Sequence, residues 1–211
     1  MEDRIDIYLK RSFLHFKKRR LQINAERVKY EDKEILSENA KAIRYGIMQI
    51  YVNGIKTNRI YEIEIEDENS KKLRISFQSV RMFGKNKDME ETYFSIIEAL
   101  WESVTYKLFK KNLDALYEGK SVKLASVEIS PSGLKMSVRR WFKKEEHFVE
   151  WKDLRKSVGE GYLNIQSSVN KKVKLSLQLQ KQWNAVVLSA ILDYLWEEGR
   201  AYQLDEMHRR F

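Results

Sequence analysis

The chain has 211 residues, 43% of them hydrophobic, and 40 basic against 31 acidic side chains give it a formal charge of +9. That hydrophobic share can build the core of one large domain or two small ones, and it excludes a disordered chain. With no cysteine anywhere, a disulfide framework, a thiolate metal site and a cysteine nucleophile are excluded too.

The opening stretch MEDRIDIYLKRSFLHFKKRR interrupts its apolar residues with Lys10 and Arg11, so it lacks the continuous apolar segment of a secretory signal. No window approaches the roughly 18 apolar residues of a membrane span. The chain therefore reads as soluble and cytoplasmic. The cluster FKKRR at 16–20 could touch the phosphates of a polyanion, as the overall charge would also favour. It has no interleaved aromatics and no RRM-type run accompanies it, so nucleic acid is the least favoured partner.

From Val28, VKYEDKEI predicts strand, polar turn and strand, and AKAIRYGI at 40–47 predicts another strand. Within MQIYVNGIKTNRIYEI, the pair Asn53-Gly54 is a strong signal for a two-residue turn with both φ angles positive, and it predicts an elongated hairpin standing off the sheet. Tyr61, Ile63 and Ile65 then alternate with Glu62, Glu64 and Glu66, and Leu73, Ile75 and Phe77 carry the period of two into the next strand. The three glutamates could hold a divalent cation. A solvated strand face paired across the hairpin with Lys71, Lys72 and Arg74 is the preferred reading. RMFGKNKDMEE at 81–91 predicts a polar loop. Tyr93, Ile97, Leu100, Val104 and Leu108, spaced by three or four, predict a helix over 92–118, about 40 Å long, which Gly119 ends.

The second half repeats the first. IIEALWE at 96–102 returns as ILDYLWE at 191–197, and NSKKLRISFQ at 69–78 returns as VNKKVKLSLQ at 169–178. AKAIRYGI lies over WKDLRKSV at 151–158, and VKYEDKEI resembles VEISPSGLKM from Val127. Two copies of several strands followed by one helix predict the α+β class, with domains at 1–118 and 119–211; the hairpin insertion and an extended helix belong to the first. The single proline, Pro131, lies in a turn, so no flexible linker separates them.

Alternating strands, a W-K-D-L strand start at Trp151–Leu154 and a closing amphipathic helix bearing a Trp resemble the pleckstrin-homology-like (PH-like) superfold, especially the bacterial PH-like and GRAM-like domains. The resemblance covers nearly the whole chain, in tandem. It implies two strongly bent antiparallel sheets or partial barrels, each closed by its C-terminal helix, with Trp101 and Trp196 as the plugs. It also implies a non-enzymatic binding or scaffolding role, since PH-like domains bind phosphoinositides, peptides or other proteins.

No phosphate-cradling glycine loop and no nucleophile elbow occurs, and His15, His147 and His208 stand apart from any ligand-like spacing. No cofactor, metal or catalytic set is expected. The leading expectation is a protein or peptide partner, taken by strand addition at an exposed sheet edge or by the Asn53-Gly54 hairpin. The alternative is an anionic headgroup site in SVRRWFKKEEHF, where Arg139, Arg140, Lys143 and Lys144 flank Trp141 and Phe142. In the resemblance this is a hairpin between early strands of the second copy, where lipid-binding relatives gather cations. Aromatic rings favour the headgroup level and each cation there contributes about 1 kcal/mol, which would hold the protein at the inner membrane face.

Overall fold

The computed structural model describes residues 4–10, 17–80, 87–140 and 143–209. The chain is of the α+β class, and its contacts divide it into two compact units, Met1–Leu108 and Phe109–Phe211. Among the described residues no helix is long and apolar enough to cross a membrane.

The first unit begins with β1 (Ile5–Lys10), β2 (Lys18–Ile23), β3 (Arg27–Tyr30) and β4 (Lys33–Leu36), an antiparallel meander of four strands. A 3-10 turn at Ser37–Asn39 leads into a three-stranded meander of β5 (Ala40–Val52), β6 (Ile55–Asp67) and β7 (Lys72–Val80). Helix α1 (Lys87–Leu100) follows, then a π-helical segment at Trp101–Thr105 and α2 (Tyr106–Tyr117), which runs on into the second unit.

The second unit writes the same order again. β8 (Val122–Leu124), β9 (Val127–Ser130), β10 (Gly133–Arg140) and β11 (Lys143–Glu150) make a four-stranded meander, and a 3-10 turn at Trp151–Asp153 leads to β12 (Leu154–Gly159), β13 (Tyr162–Ser167) and β14 (Lys174–Gln178). Helix α3 (Ala185–Trp196) follows, and Gly199, at φ 68°, separates it from a further helix, α4 (Arg200–Arg209). All four sheets are open; none closes into a barrel.

The period of two puts Ile63, Ile65, Leu73, Ile75 and Phe77 wholly out of solvent. The opposite face carries the glutamates in an ion-pair ladder: Glu62 with Arg74, Glu64 with Arg44 at 2.5 Å and Arg74 at 3.2 Å, and Glu66 with Lys41 at 2.9 Å and Lys72 at 3.6 Å. Hydrogen bonding from Lys41, the largest influence, holds the Glu66 carboxyl below its ordinary range against the opposing effect of burial. This face is therefore a salt-bridged strand surface, as the preferred reading had it.

Several expectations are corrected. The helix expected at 92 starts at Lys87, so part of the loop assigned to 81–91 is its first turn. The Tyr106 amide bonds the Trp101 carbonyl, one residue beyond α-helical reach, which inserts the π-helical segment. Its C-terminal end is as expected: Gly119 takes φ 79°, its amide donates to Leu116, and the Lys120 amide donates to Ala115. Those two bonds satisfy the last carbonyls in a Schellman cap.

Trp101 and Trp196 are not the plugs. Both remain 36% exposed, whereas Ile96, Leu100, Ile191 and Leu195 are wholly buried. The helix faces of both copies bury the residue before the Trp and leave the ring at the rim, where Trp196 meets Trp151 edge-on at 5.8 Å. Nor does the second copy's strand begin at Trp151: residues 151–153 form the 3-10 turn, and Trp151 Nε1–H donates to the Pro131 carbonyl at 2.6 Å.

Two of the matched segments are out of step in space. β3, which holds VKY, is the third strand of its meander, and β9, which holds VEIS, is the second of its own. In the next sheet Ile43 pairs with Ile65 while Lys156 pairs with Ile165, so Ile43 corresponds to Lys156 and not to Leu154. Lys156 is only 13% exposed there and directs its ammonium to Asp193 and the Ser189 carbonyl.

Candidate binding hairpins

Each unit carries one hairpin that is longer than its counterpart in the other. In the second unit it is β10–β11, with Val138 opposite Glu145, Arg139 opposite Lys144 and Arg140 opposite Lys143. Trp141 and Phe142 follow Arg140 in the sequence and lie outside the described residues. Four of the five sequence-nominated residues, Arg139, Arg140, Lys143 and Lys144, are brought together by the register as two directly opposed pairs of like charge. The hairpin joins the third and fourth strands of its meander, not the early ones. The misplacement has a simple cause: one polar turn between alternating strands looks like another, and only the pairing counts strands.

The acids that follow are engaged elsewhere. Glu146 pairs with Lys135 at 2.7 Å, and that hydrogen bond is the chief reason its carboxyl lies below the ordinary range, with smaller contributions from Lys144 and Lys123. Glu145 lies 3.4 Å from His147 Nε2. The rival basic cluster at 16–20 is different in kind. Its Lys18–Arg20 portion is the start of β2, and Arg20 grips Asp6 through two bonds at 2.8 and 2.5 Å, which lowers the Asp6 pKa. Arg19 and Lys17 lie 3.5 and 3.8 Å from Glu31. Phe16 and His15 fall outside the described residues.

In the first unit the longer hairpin is β5–β6, with 13 residues in each strand against 6 in the corresponding β12 and β13. Asn53 and Gly54 hold φ 51° and 77°, the pair of positive angles a type I′ turn needs. Pairing with β7 stops at Asn58, so the turn and the residues nearest it extend beyond the third strand as a two-stranded ribbon. That ribbon is apolar and open: Tyr51 is 56%, Val52 53% and Ile55 67% exposed.

A pocket of about 250 Å³ in the second unit is lined by Glu150, Trp151, Lys152, Tyr202, Asp205 and Glu206. Its acids make it the wrong sign for an anion, and Lys152 lies 2.8 Å from Glu150. No group of three or more metal-ligating side chains converges among the described residues. His208, on α4, lies against Gly119 with its Nε2 buried. Comparison with family models, with curated proteins and with solved structures finds no match.

Proposed function

We propose that the chain is a non-enzymatic binding protein of two tandem PH-like units, and that its ligand is an anionic membrane surface met by the β10–β11 hairpin. The twice-written order of four strands, turn, three strands and helix is what the PH-like resemblance implies, and it supports that part of the reading. The observation that carries the ligand class is the register, with Arg139 opposite Lys144 and Arg140 opposite Lys143. Like charges directly opposite one another destabilise a strand pair. A layer of lipid phosphates turns that cost into attraction.

The test is co-sedimentation with phosphatidylcholine vesicles, with and without phosphatidylglycerol, at low and high salt. Binding is expected only to the anionic vesicles and only at low salt. Arg139→Ala/Arg140→Ala removes about 2 kcal/mol of surface attraction, so partitioning falls roughly 30-fold. Binding that ignores both salt and the double substitution defeats the proposal.

A protein or peptide partner is the second reading, and β5 supports it. As the edge strand of its sheet, β5 has one side without a ladder partner among the described residues. An extended peptide could add there through backbone hydrogen bonds, with little response to salt.

A further inference from the structure

We infer that Asn53 is a site of spontaneous covalent modification: the Gly54 amide nitrogen attacks its side chain, ammonia is lost, and the isoaspartyl product unfastens the tip of the β5–β6 hairpin. The inference is independent of the membrane reading above.

Such chemistry needs a backbone nitrogen outside the ladder, room around it and a chain that can turn. Glycine puts no side chain beside its own nitrogen, and Asn53 is the only asparagine of the chain that a glycine follows. Both residues are exposed, and a Cβ added at Gly54 would meet nothing within 4 Å. The last rung of the ladder is Val52 opposite Ile55, so the Gly54 amide takes no part in it. Ring closure brings that nitrogen to the Asn53 side-chain carbonyl by flipping the peptide between the two residues, the motion that interconverts type I′ and type II′ turns. Asn53 keeps its positive φ of 51° through the flip, while Gly54 passes from 77° to a negative angle, which glycine takes as readily.

Water is the sole co-reactant. The deprotonated nitrogen forms a bond to the side-chain carbonyl carbon, the bond from that carbon to the amide nitrogen breaks, and ammonia leaves behind a five-membered imide. Water then opens the imide at either carbonyl. One opening gives an aspartyl residue, and the other gives isoaspartyl, in which the backbone runs through the side chain and gains a methylene. Either product places a carboxylate in the stretch from Ile47 to Tyr61, which has no acid.

The added methylene acts on the register. A two-residue turn fixes the register of the strands it joins, and a longer backbone between Val52 and Ile55 no longer fits it. Fraying from the turn stops at the bulge between Gln49 and Tyr51, whose extra residue lies in β6. There the Gln49 side chain donates to the Ile50 and Asn58 carbonyls at 3.1 and 3.0 Å, and the Thr57 hydroxyl donates to the Ile50 carbonyl at 3.2 Å. Arg59 is held by Gln49 at 3.1 Å and by Glu90 at 2.7 Å. The pairs released are therefore Tyr51 with Lys56 and Val52 with Ile55.

The test is incubation of the full chain at mildly alkaline pH, folded and in urea, followed by peptide mapping with mass spectrometry. In the folded chain the peptide carrying residue 53 is expected to gain the mass difference between OH and NH2 and to split into two chromatographic forms. Conversion is expected several-fold faster than at Asn69 and Asn170, which are also exposed but precede Ser70 and Lys171. Asn53→Gln should abolish it. If residue 53 stays intact in the folded chain while the unfolded chain converts, the turn protects it and the inference is overturned; earlier conversion at Asn69 or Asn170 overturns it equally. Hydrogen exchange on the converted protein reads the consequence: protection is expected to be lost at Val52 and Ile55 and kept at the Glu160–Gly161 turn of the second unit. Asn53→Asp carries the charge without the methylene, and exchange in it as fast as in the converted protein would defeat the register argument.

Discussion

The two units share their inner parts and differ in what projects from them. Each buries an Ile and a Leu from its closing helix against its sheets, Ile96 and Leu100 in one, Ile191 and Leu195 in the other. Their long hairpins sit at different places: the first hairpin of the three-stranded sheet in unit one, the last of the four-stranded sheet in unit two. One ends in apolar residues and the other in opposed cations. Residues that fill a core are constrained by packing on all sides, whereas a hairpin beyond the sheet is constrained only by its turn and its register. The projections are thus where two copies of one architecture can acquire different contacts.

The largest expected effect tests whether the shared parts are equivalent. Leu100→Ala and Leu195→Ala should each cost 2–5 kcal/mol, roughly, as buried leucines do. Trp101→Ala and Trp196→Ala should cost less than the neighbouring leucine, because both rings are partly solvated. Chemical denaturation of the four variants decides it, and a Trp loss equal to its Leu partner's would return the ring to the core.

The next effect separates the units by pH. Burial pushes the Tyr45 hydroxyl up to about 12, and it raises Tyr93 as well, with Tyr45 and Tyr61 adding to the effect. The buried form is neutral while the unfolded phenol ionises near 10, so this stability is intact below pH 10 and is lost as pH rises towards 12. For Tyr45 the loss is on the order of 2 kcal/mol. In the second unit Val158 faces Leu163 where Tyr45 faces Ile63. Alkaline unfolding followed by circular dichroism should therefore move to higher pH in Tyr45→Phe.

Smaller effects probe single positions. Gly119→Ala should cost about 1 kcal/mol through its positive φ, and more if the His208 ring, 3.1 Å from the added Cβ, cannot retreat. Gly54→Ala has the same strain and open space. The difference between the two melting shifts isolates the His208 contact. Lys156→Ile gives the second unit the side chain that the first has at Ile43. It should change stability by less than about 1 kcal/mol or raise it, because Asp193 is 59% exposed and such a pair contributes little, while an apolar side chain suits the shielded position of Lys156. A large loss would mean that the Lys156–Asp193 pair holds α3 in place.

Much of the fold was legible because it depends on local chemistry. Asn53-Gly54 could take the two positive φ angles, Gly119 could end a helix in a Schellman cap, and Glu62, Glu64 and Glu66 could alternate only as one face of a strand. Of the candidate site, the grouping of Arg139, Arg140, Lys143 and Lys144 was legible, since a short hairpin brings near neighbours together. Their direct opposition was not, because it needs the register. The apolar tip had a signal that could be read, the unbroken acid-free run from Ile47 to Tyr61, but the side-chain phase depends on the bulge at Gln49/Tyr51.

By itself the sequence determined the class of each element, the turns, and the fact that one order is written twice. Periodicity and backbone propensity act over a few residues, so they survive in a string of letters. Tertiary structure decided which strand is which, that Lys156 and not Leu154 takes the place of Ile43, and that Leu100 and Leu195 are the plugs while Trp101 and Trp196 stay at the rim. These depend on hydrogen-bond register and on how a helix rolls against its sheet, and both are set by the summed packing of residues far apart in the chain.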